Sequence, residues 1–206
     1  MKKIVSVTLA VLLLSFAIKG PSASAAFTDV GGNYREAVDY IVSQKYANGI
    51  SSTKFGTQAS IKRIDAAVMV ARAIGINENT KSPSAGFTDV PKNRAWAVNA
   101  LASRGIISGK KTGTYGSEDS MTRSEMAKVL ASAYNLQTDK TTIPFTDVSP
   151  RFVPYVAALV DNGITFGKTN KSFGGSDKIK RGEFALFIFR ADGLSKIEPP
   201  NVESVT

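Results

Sequence analysis

Three arginines at equivalent positions are the residues of this chain whose chemistry stands out. Each is followed two residues later by an acid, giving the pairs Arg63/Asp65, Arg123/Glu125 and Arg181/Glu183. A guanidinium is a planar fork of donors that suits a carboxylate. Each arginine also falls in the first turn of a predicted helix, where free backbone N–H groups and the helix dipole favour an anion. These first turns are candidate anion sites, although the acid could instead neutralise its arginine or complete a helix cap.

Two absences narrow the possible catalytic chemistry. The chain contains no His and no Cys, which removes disulfides, thiolate and imidazole metal ligands, Cys nucleophiles and Ser-His-Asp triads. Carboxylates remain, but Glu118, Asp119 and Asp139 lie in predicted loops or linkers. No two of them can be assigned to facing sides of a cleft, as glycoside hydrolysis requires. We therefore expect no enzyme activity, no metal site and no cofactor.

The arginines recur because the chain repeats one unit three times. Phe-Thr-Asp-Val begins at Phe27, Phe87 and Phe145, so successive copies start 60 and 58 residues apart. Each copy then has a glycine, an aromatic–Gly pair and the Arg-x-acid segment at fixed distances from its Phe. Repetition at this period indicates one supersecondary unit whose copies pack on one another.

The sequence of each repeat predicts two helices joined by a loop. The first has one apolar face, with Val38 and Ile41 in the first copy, and the second begins around the Arg-x-acid segment. We predict a mostly α-helical fold in which three helical-hairpin repeats form a pseudo-threefold bundle with short loop or extended pieces.

Helix boundaries are predicted from capping signals. Gly105 and Gly163 should end the first helix in the later copies. Lys45 holds that position in the first copy, so its helix is expected to run on towards Gly49. Thr122 and Glu125 have the spacing of a capping box at the start of the second helix in the second copy.

The chain divides into a leader, three repeats and a tail. Residues 1–25 begin with two lysines, continue with an apolar stretch and end in Ala23-Ser24-Ala25, which is typical of a secretory signal peptide. The repeats span 26–80, 81–140 and 141–194, and residues 195–206 form a Pro-containing linker or tail. No stretch is long enough for a confident transmembrane helix. We expect an exported protein without a membrane span.

The formal net charge is +9, and three of the lysines fall in the predicted leader region. A basic exported protein attracts acidic glycans and phosphate polymers. We expect a partner of this kind and not a nucleic acid.

Taken together, these features resemble the S-layer homology family. Met121-Thr122-Arg123-Ser124-Glu125 is similar to the family's Thr-Arg-Ala-Glu signature, whereas Lys62 and Lys180 replace the Thr in the flanking copies. The resemblance covers about residues 27–194. It implies three modules in a trefoil-like bundle, with grooves between neighbours, at the start of a bacterial surface-layer protein.

The resemblance also implies a ligand and the residues that bind it. It implies non-covalent anchoring to the cell wall by binding a peptidoglycan-linked secondary cell wall polysaccharide that is acidic and pyruvylated. The implied ligand-binding residues are the signature arginines, the loop glycines and the lysines that follow two of them: Arg63, Arg123, Arg181, Gly49, Gly109, Gly167, Lys110 and Lys168. Ile50 replaces the lysine in the first copy, so that groove is expected to bind differently or less tightly.

Four further residues are weaker candidates for the ligand site, namely Asp29, Asp89, Asp147 and Trp96. An Asp at the start of a helix is also a natural cap. The only tryptophan could stack on a sugar ring. Two alternative functions stay open. The repeats could be a protein–protein self-assembly module that contacts other S-layer subunits, or the anchor of a wall-associated enzyme whose catalytic domain lies beyond residue 206.

Overall fold

The computed structural model describes residues 27–193, so the predicted signal peptide and the predicted tail from residue 195 lie outside the described residues. Within 27–193 the regular structure is helical, without a named strand. The helices are α1 (Gly32–Ser43), α2 (Arg63–Ala73), α3 (Ala95–Ser103), α4 (Arg123–Ala133), α5 (Val153–Asp161) and α6 (Arg181–Ala191). Single 3₁₀ turns, Lys92–Arg94 and Pro150–Phe152, lead into α3 and α5. The prediction of a mostly α fold with two helices in each repeat is confirmed.

The main helix packing joins neighbouring repeats. Helix α2 packs on α3, α4 packs on α5, and α6 packs on α1. The second helix of each repeat therefore lies against the first helix of the next repeat, and the α6–α1 contact joins the third repeat back to the first. The helix pairs form across repeat boundaries, which closes the pseudo-threefold arrangement into a ring.

A closed triangle of backbone hydrogen bonds lies where the three second helices begin. Ile61 N–H donates to Ile179 O, Met121 N–H donates to Ile61 O, and Ile179 N–H donates to Met121 O, each at 3.0 Å. The three side chains are buried. Because every bond of the triangle joins two different repeats, no repeat can satisfy these backbone groups alone.

The aromatic residue of each aromatic–Gly pair fills the core of its repeat. Phe55, Tyr115 and Phe173 are fully buried. Each packs against the ring of the Phe-Thr-Asp-Val segment of the same repeat, with centroid separations of 5.8, 5.6 and 5.7 Å. These separations are typical of stabilising aromatic pairs. The loop that carries the aromatic–Gly pair is therefore fixed from inside.

The predicted capping box of α4 is confirmed. Glu125 N–H donates to the Thr122 hydroxyl at 3.2 Å, and Thr122 N–H donates to the Glu125 carboxylate at 2.8 Å. Where Lys180 replaces the Thr, half of the arrangement persists, because the Lys180 N–H still donates to Glu183 at 3.1 Å.

The expected extension of α1 towards Gly49 is wrong. Helix α1 ends at Ser43, and Lys45 takes a left-handed φ of 60°, close to the 70° and 67° of Gly105 and Gly163. In all three copies the next residue donates its N–H back to the helix, as Tyr46 does to Ile41 O at 2.9 Å. This closing bond holds Lys45 in a conformation that glycine adopts without strain.

Candidate functional site

The larger of two described grooves is built around Arg63, and we call it the Arg63 groove. Its volume is about 620 Å³. Arg63 comes from the first repeat, the 106–110 loop and α4 come from the second, and the turn before α5 comes from the third. Its charged lining residues are Arg63, Lys110, Glu125, Lys128 and Arg151. All three repeats are needed to form it.

The second groove has the same plan one repeat back round the ring, and we call it the Arg181 groove. Its volume is about 350 Å³. Arg181 comes from the third repeat, the 46–49 loop and α2 from the first, and the turn before α3 from the second. Its charged lining residues are Asp65, Arg72, Glu78, Arg94 and Arg181.

Arg63 is held firmly by the second repeat. Its Nε donates to Tyr115 O at 3.1 Å and its Nη2 to Ser108 O at 3.0 Å, while Nη1 lies 3.4 Å from a Glu125 carboxylate oxygen. The guanidinium carbon stands 4.7 Å from the centroid of the Tyr115 ring, and the residue is only 7% exposed. Arg63 therefore fixes the loop and lies at the floor of its groove.

Arg181 repeats this arrangement with one change. Nε donates to Phe55 O at 3.0 Å and Nη2 to Asn48 O at 2.8 Å. The residue equivalent to Glu125 is Asp65, but Asp65 pairs with Arg94 at 2.5 Å. Among the ion pairs of residues 27–193, none includes Arg181. Burial lowers the pKa of Arg181, and nearby Asp65 partly offsets that effect.

Arg123 is buried between repeats two and three and lines neither of the two described grooves. It lies between the rings of Phe173 and Phe187, 4.9 and 4.8 Å from their centroids, and pairs with Glu183 at 3.2 Å. Its buried Nε has no hydrogen-bond partner among the described residues. Burial lowers its pKa, and Glu183 opposes that shift. Its contacts are those of a packing residue.

The expectation of free N–H groups in these first turns is wrong. The backbone N–H groups of Arg63, Arg123 and Arg181 donate to Asp119 O, Asp177 O and Ala59 O, at 2.9, 2.9 and 2.8 Å. The acceptors lie in the loop of the next repeat around the ring. Inter-repeat packing therefore occupies the backbone donors of the three arginines, which leaves only their side chains for a ligand.

The loop glycines have a packing requirement of their own. A Cβ at Gly109 or Gly167 would lie 2.5 Å from the ring of Phe87 or Phe145, and Gly49 faces Phe27 in the same way. Gly109 also lines the Arg63 groove and Gly49 the Arg181 groove, whereas Gly167 lines neither. The Phe contact explains the glycine in all three repeats without a ligand.

Lys110 and Lys168 are each paired within their own loop. Lys110 lies 2.7 Å from Asp119, and Lys168 lies 2.7 Å from Asp177. Lys110 lines the Arg63 groove, and Lys168 lines neither described groove. In the first repeat the same two positions hold Ile50 and Ala59, and Ile50 is 62% exposed.

The aspartates of Phe-Thr-Asp-Val do not cap α1, α3 or α5. Asp29 accepts the N–H groups of Phe55 and Gly56 at 2.8 and 2.7 Å, and Asp89 accepts those of the equivalent Tyr115 and Gly116 at 2.7 Å each. Asp147 does the same in the third repeat. Burial alone would raise the pKa of all three carboxyls, but these hydrogen bonds, joined at Asp147 by one from the Ser172 hydroxyl, outweigh it and lower the pKa.

Trp96 lies in the wall of the Arg181 groove and is half-buried. The Arg72 guanidinium carbon stands 5.7 Å from its ring centroid, a cation–π distance. Arg72 in turn pairs with Glu78 at 2.6 Å. The tryptophan is thus part of a charged cluster at the groove.

Sequence reasoning did not identify Lys128, Arg151, Phe152 and Tyr155, which also line the Arg63 groove. The sequence could have identified Lys128, because Lys128 lies one helical turn after Glu125 on the same helix face. The other three come from the third repeat, and only the packing of α5 on α4 brings them to the groove.

Residues 27–193 contain neither a candidate metal cluster nor a membrane-spanning helix. No group of three or more acidic residues in this range could hold a metal ion. No helix in the same range has the length and apolarity to cross a bilayer.

Comparison with known proteins identifies the repeats. The S-layer homology domain matches residues 26–67, 86–127 and 144–185. The chain is 32% identical over 153 residues to the S-layer protein EA1 of Bacillus anthracis, covering 71% of this chain and 17% of that protein. It is 30% identical to a surface-layer 125 kDa protein of Lysinibacillus sphaericus, covering 82% of this chain and 15% of that protein.

A third relative is an uncharacterized cell wall amidase of Bacillus anthracis, 29% identical over 68% of this chain and 26% of that protein. The chain thus spans about a quarter or less of the length of these relatives. The matches place it among cell-surface proteins and support a role in cell-wall anchoring. The three matched segments carry the signature arginines, the loop glycines and the aromatic–Gly pairs described above, and the chain belongs to the S-layer homology family.

Proposed function

We propose that the chain anchors an exported surface protein to the cell wall, without catalysis, by binding an acidic, pyruvylated secondary cell wall polysaccharide in the grooves between its repeats. The observation that carries this proposal is the charge of the Arg63 groove. Its lining has four cationic side chains, Arg63, Lys110, Lys128 and Arg151, and one carboxylate, Glu125. A groove with this balance attracts an anionic polymer and repels a cationic one.

The proposed ligand suits the chemistry of the lining. A ketal-linked pyruvate presents a carboxylate that stays ionised at neutral pH, which basic side chains bind with charge-assisted hydrogen bonds. Tyr155 and Phe152 add aromatic surface beside the cations. The Arg181 groove offers a second site on the same molecule, and two sites on one polymer raise avidity through effective concentration.

Binding to sacculi, prepared from the organism that encodes the chain, tests the proposal. The chain should bind intact sacculi and lose that binding after the wall polysaccharide is extracted. Soluble polymer released by the extraction should compete, and removal of its pyruvate ketal should abolish the competition. Binding that persists on bare peptidoglycan, or competition that ignores the ketal, would overturn the proposed ligand.

The self-assembly alternative makes a different prediction. A protein-contact module should associate with itself or with other surface-layer subunits in the absence of wall material. Sedimentation of the purified chain, with and without released polymer, separates the two alternatives. We expect sedimentation to change only when polymer is present.

A further inference from the structure

We propose that Lys128 and Arg151 together form the direct anion contact of the Arg63 groove, and that Arg63 acts as a positioning residue beneath them. This inference rests on the proposed function, because it assigns residues to the same ligand. The anionic group is a carboxylate or a phosphate on the wall polymer, which these cations would recognise in the same way.

Within the described part of the chain, two of the four cations of the groove have an acidic partner, and two have none. Arg63 is paired with Glu125 and donates to two backbone carbonyls, and Lys110 is paired with Asp119. Lys128 and Arg151 form no ion pair with any residue between 27 and 193. The uncompensated positive charge of the groove therefore lies on these two side chains.

The second observation is their placement. Lys128 is half-buried on α4, one turn beyond Glu125, and exposed Arg151 lies in the turn before α5 that contacts α4. The Arg151 guanidinium carbon stands 4.7 Å from the centroid of the Phe152 ring, which orients its charged group. Both residues line the groove that contains Arg63 and Lys110. Because Lys128 and Arg151 are, within residues 27–193, the two unpaired cations of this groove, an anion bound between them is favoured.

The third observation is that the fold does not require these charges. The equivalent residues are Val68 and Asn93 at the Arg181 groove, and Leu186 and Asn33 in the remaining copy. The scaffold is thus compatible with neutral side chains at both positions. The cationic pair is specific to the Arg63 groove, as a ligand contact would be.

The test measures the affinity of the full chain for intact sacculi at two salt concentrations. Lys128→Gln/Arg151→Gln is compared with Lys54→Gln/Lys81→Gln, which removes the same charge from two exposed lysines that line neither groove. We expect the groove double variant to bind at least about tenfold more weakly, the scale of a charge-assisted contact. The control should change less than about twofold, since neither lysine lines a groove and exposed charges are screened.

Two further readouts separate contact from structure. The groove double variant should lose most of the salt dependence of binding, and its unfolding midpoint in urea should match that of the wild-type chain. Lys128→Arg/Arg151→Lys keeps the charge and should retain most of the affinity. Released polymer with and without its pyruvate ketal, used as competitor, shows whether the group that Lys128 and Arg151 contact is the ketal carboxylate or another anion.

The outcomes are distinct. If the wild-type chain binds polymer-bearing sacculi and the groove double variant behaves like the control, this inference is wrong while the proposed function stands. If the wild-type chain does not require the polymer, the proposed function fails and this inference fails with it. A selective loss in the groove double variant, rescued by the charge-conserving pair, supports both.

Discussion

The two grooves share a floor and differ at the rim. In both, an arginine of one repeat donates to two carbonyls of the next repeat and stands over its buried aromatic ring. At the rim, Lys110, Lys128 and Arg151 of the Arg63 groove correspond to Ile50, Val68 and Asn93 near the Arg181 groove. The lining of the Arg181 groove has three cations and two acids, and its acids Asp65 and Glu78 each form an ion pair.

This difference separates what the fold needs from what a ligand needs. The arginine recurs because it joins two repeats, and the glycine and the aromatic ring recur because they pack the core of their own repeat. The rim residues can vary because they lie at the surface of the groove, where a change of charge costs little stability. Repetition therefore identifies the scaffold, and under the proposed function the departures from repetition set the specificity for the ligand.

The largest effect is expected from removing the shared floor. Arg63→Ala leaves two carbonyls and a carboxylate without their partner in a buried site, and should lower the free energy of unfolding by about 3 kcal/mol. Arg181→Ala should cost less, because Arg181 is more exposed and has no acidic partner. Urea unfolding measures both. A loss below about 0.5 kcal/mol for Arg63→Ala would show that the arginine is not structural.

A smaller effect, common to all three repeats, is expected in acid. The folded-state pKa values of Asp29, Asp89 and Asp147 are below the ordinary value of 3.8, so the unfolded chain binds protons more readily. Their contribution to stability is complete above that value and is lost as the pH falls through the lowered pKa values. Unfolding free energies measured from neutral pH down to about pH 3 should decline steepest at the acid end.

Asp89→Asn tests this assignment directly. It replaces an acceptor of three loop N–H groups and should cost about 1–2 kcal/mol at neutral pH. The variant should also show a shallower decline in acid, because one of the titrating carboxyls is gone. If the variant lost as much stability in acid as the wild-type chain, groups other than Asp89 would be responsible for that loss. Asp139→Asn, in the linker, serves as the control.

The entry to the Arg181 groove gives a third comparison. Lys45 precedes the groove residue Tyr46 with φ of 60°, where Gly105 precedes Ile106 in the other groove. Lys45→Gly should raise the free energy of unfolding by up to about 1 kcal/mol, because glycine takes this conformation without strain. Thermal and urea unfolding measure the gain. A loss of stability would mean that the extra conformational entropy which glycine gives the unfolded chain outweighs the strain relieved at position 45.

The smallest effect is expected from giving the Arg181 groove one feature of the other rim. Ile50→Lys/Ala59→Asp introduces the equivalent of the Lys110–Asp119 ion pair and should change stability by less than about 1 kcal/mol, as exposed ion pairs do. Affinity for intact sacculi should stay within about twofold, because the new charges compensate each other. Ile50→Lys alone leaves its charge unpaired and should bind more tightly than the double variant. Equal affinities would show that position 50 does not contact the polymer.

Local patterns predicted the local structure well. Residues close together in the chain determine the helices, the Thr122–Glu125 capping box and the place of each repeated arginine at a helix start. Propensity and capping act over this short range. The end of α1 was predicted wrongly because the hydrogen bond from Tyr46 N–H to Ile41 O holds Lys45 in a conformation that lysine does not itself prefer.

The grooves could not be predicted from one repeat, because each is assembled from three. From the sequence, the backbone N–H groups of the signature arginines are expected to be free. In the structure they donate hydrogen bonds to carbonyls of another repeat. Arg151 is distant from Arg63 in the chain and reaches the same groove only through the packing of α5 on α4. Such contacts depend on long-range packing, which the hydrophobic periodicity of the sequence does not indicate.

Amide chemical shifts followed by NMR during titration with a pyruvylated fragment of the wall polymer test the central claim most directly. We predict that amides of Ser108, Gly109 and Lys110 in the Arg63 groove shift at the lowest fragment concentrations, and that those of Asn48 and Gly49 in the Arg181 groove shift later. The same fragment without its ketal should shift neither set at those concentrations. Shifts confined to residues outside both grooves, or none up to millimolar fragment, would contradict the account.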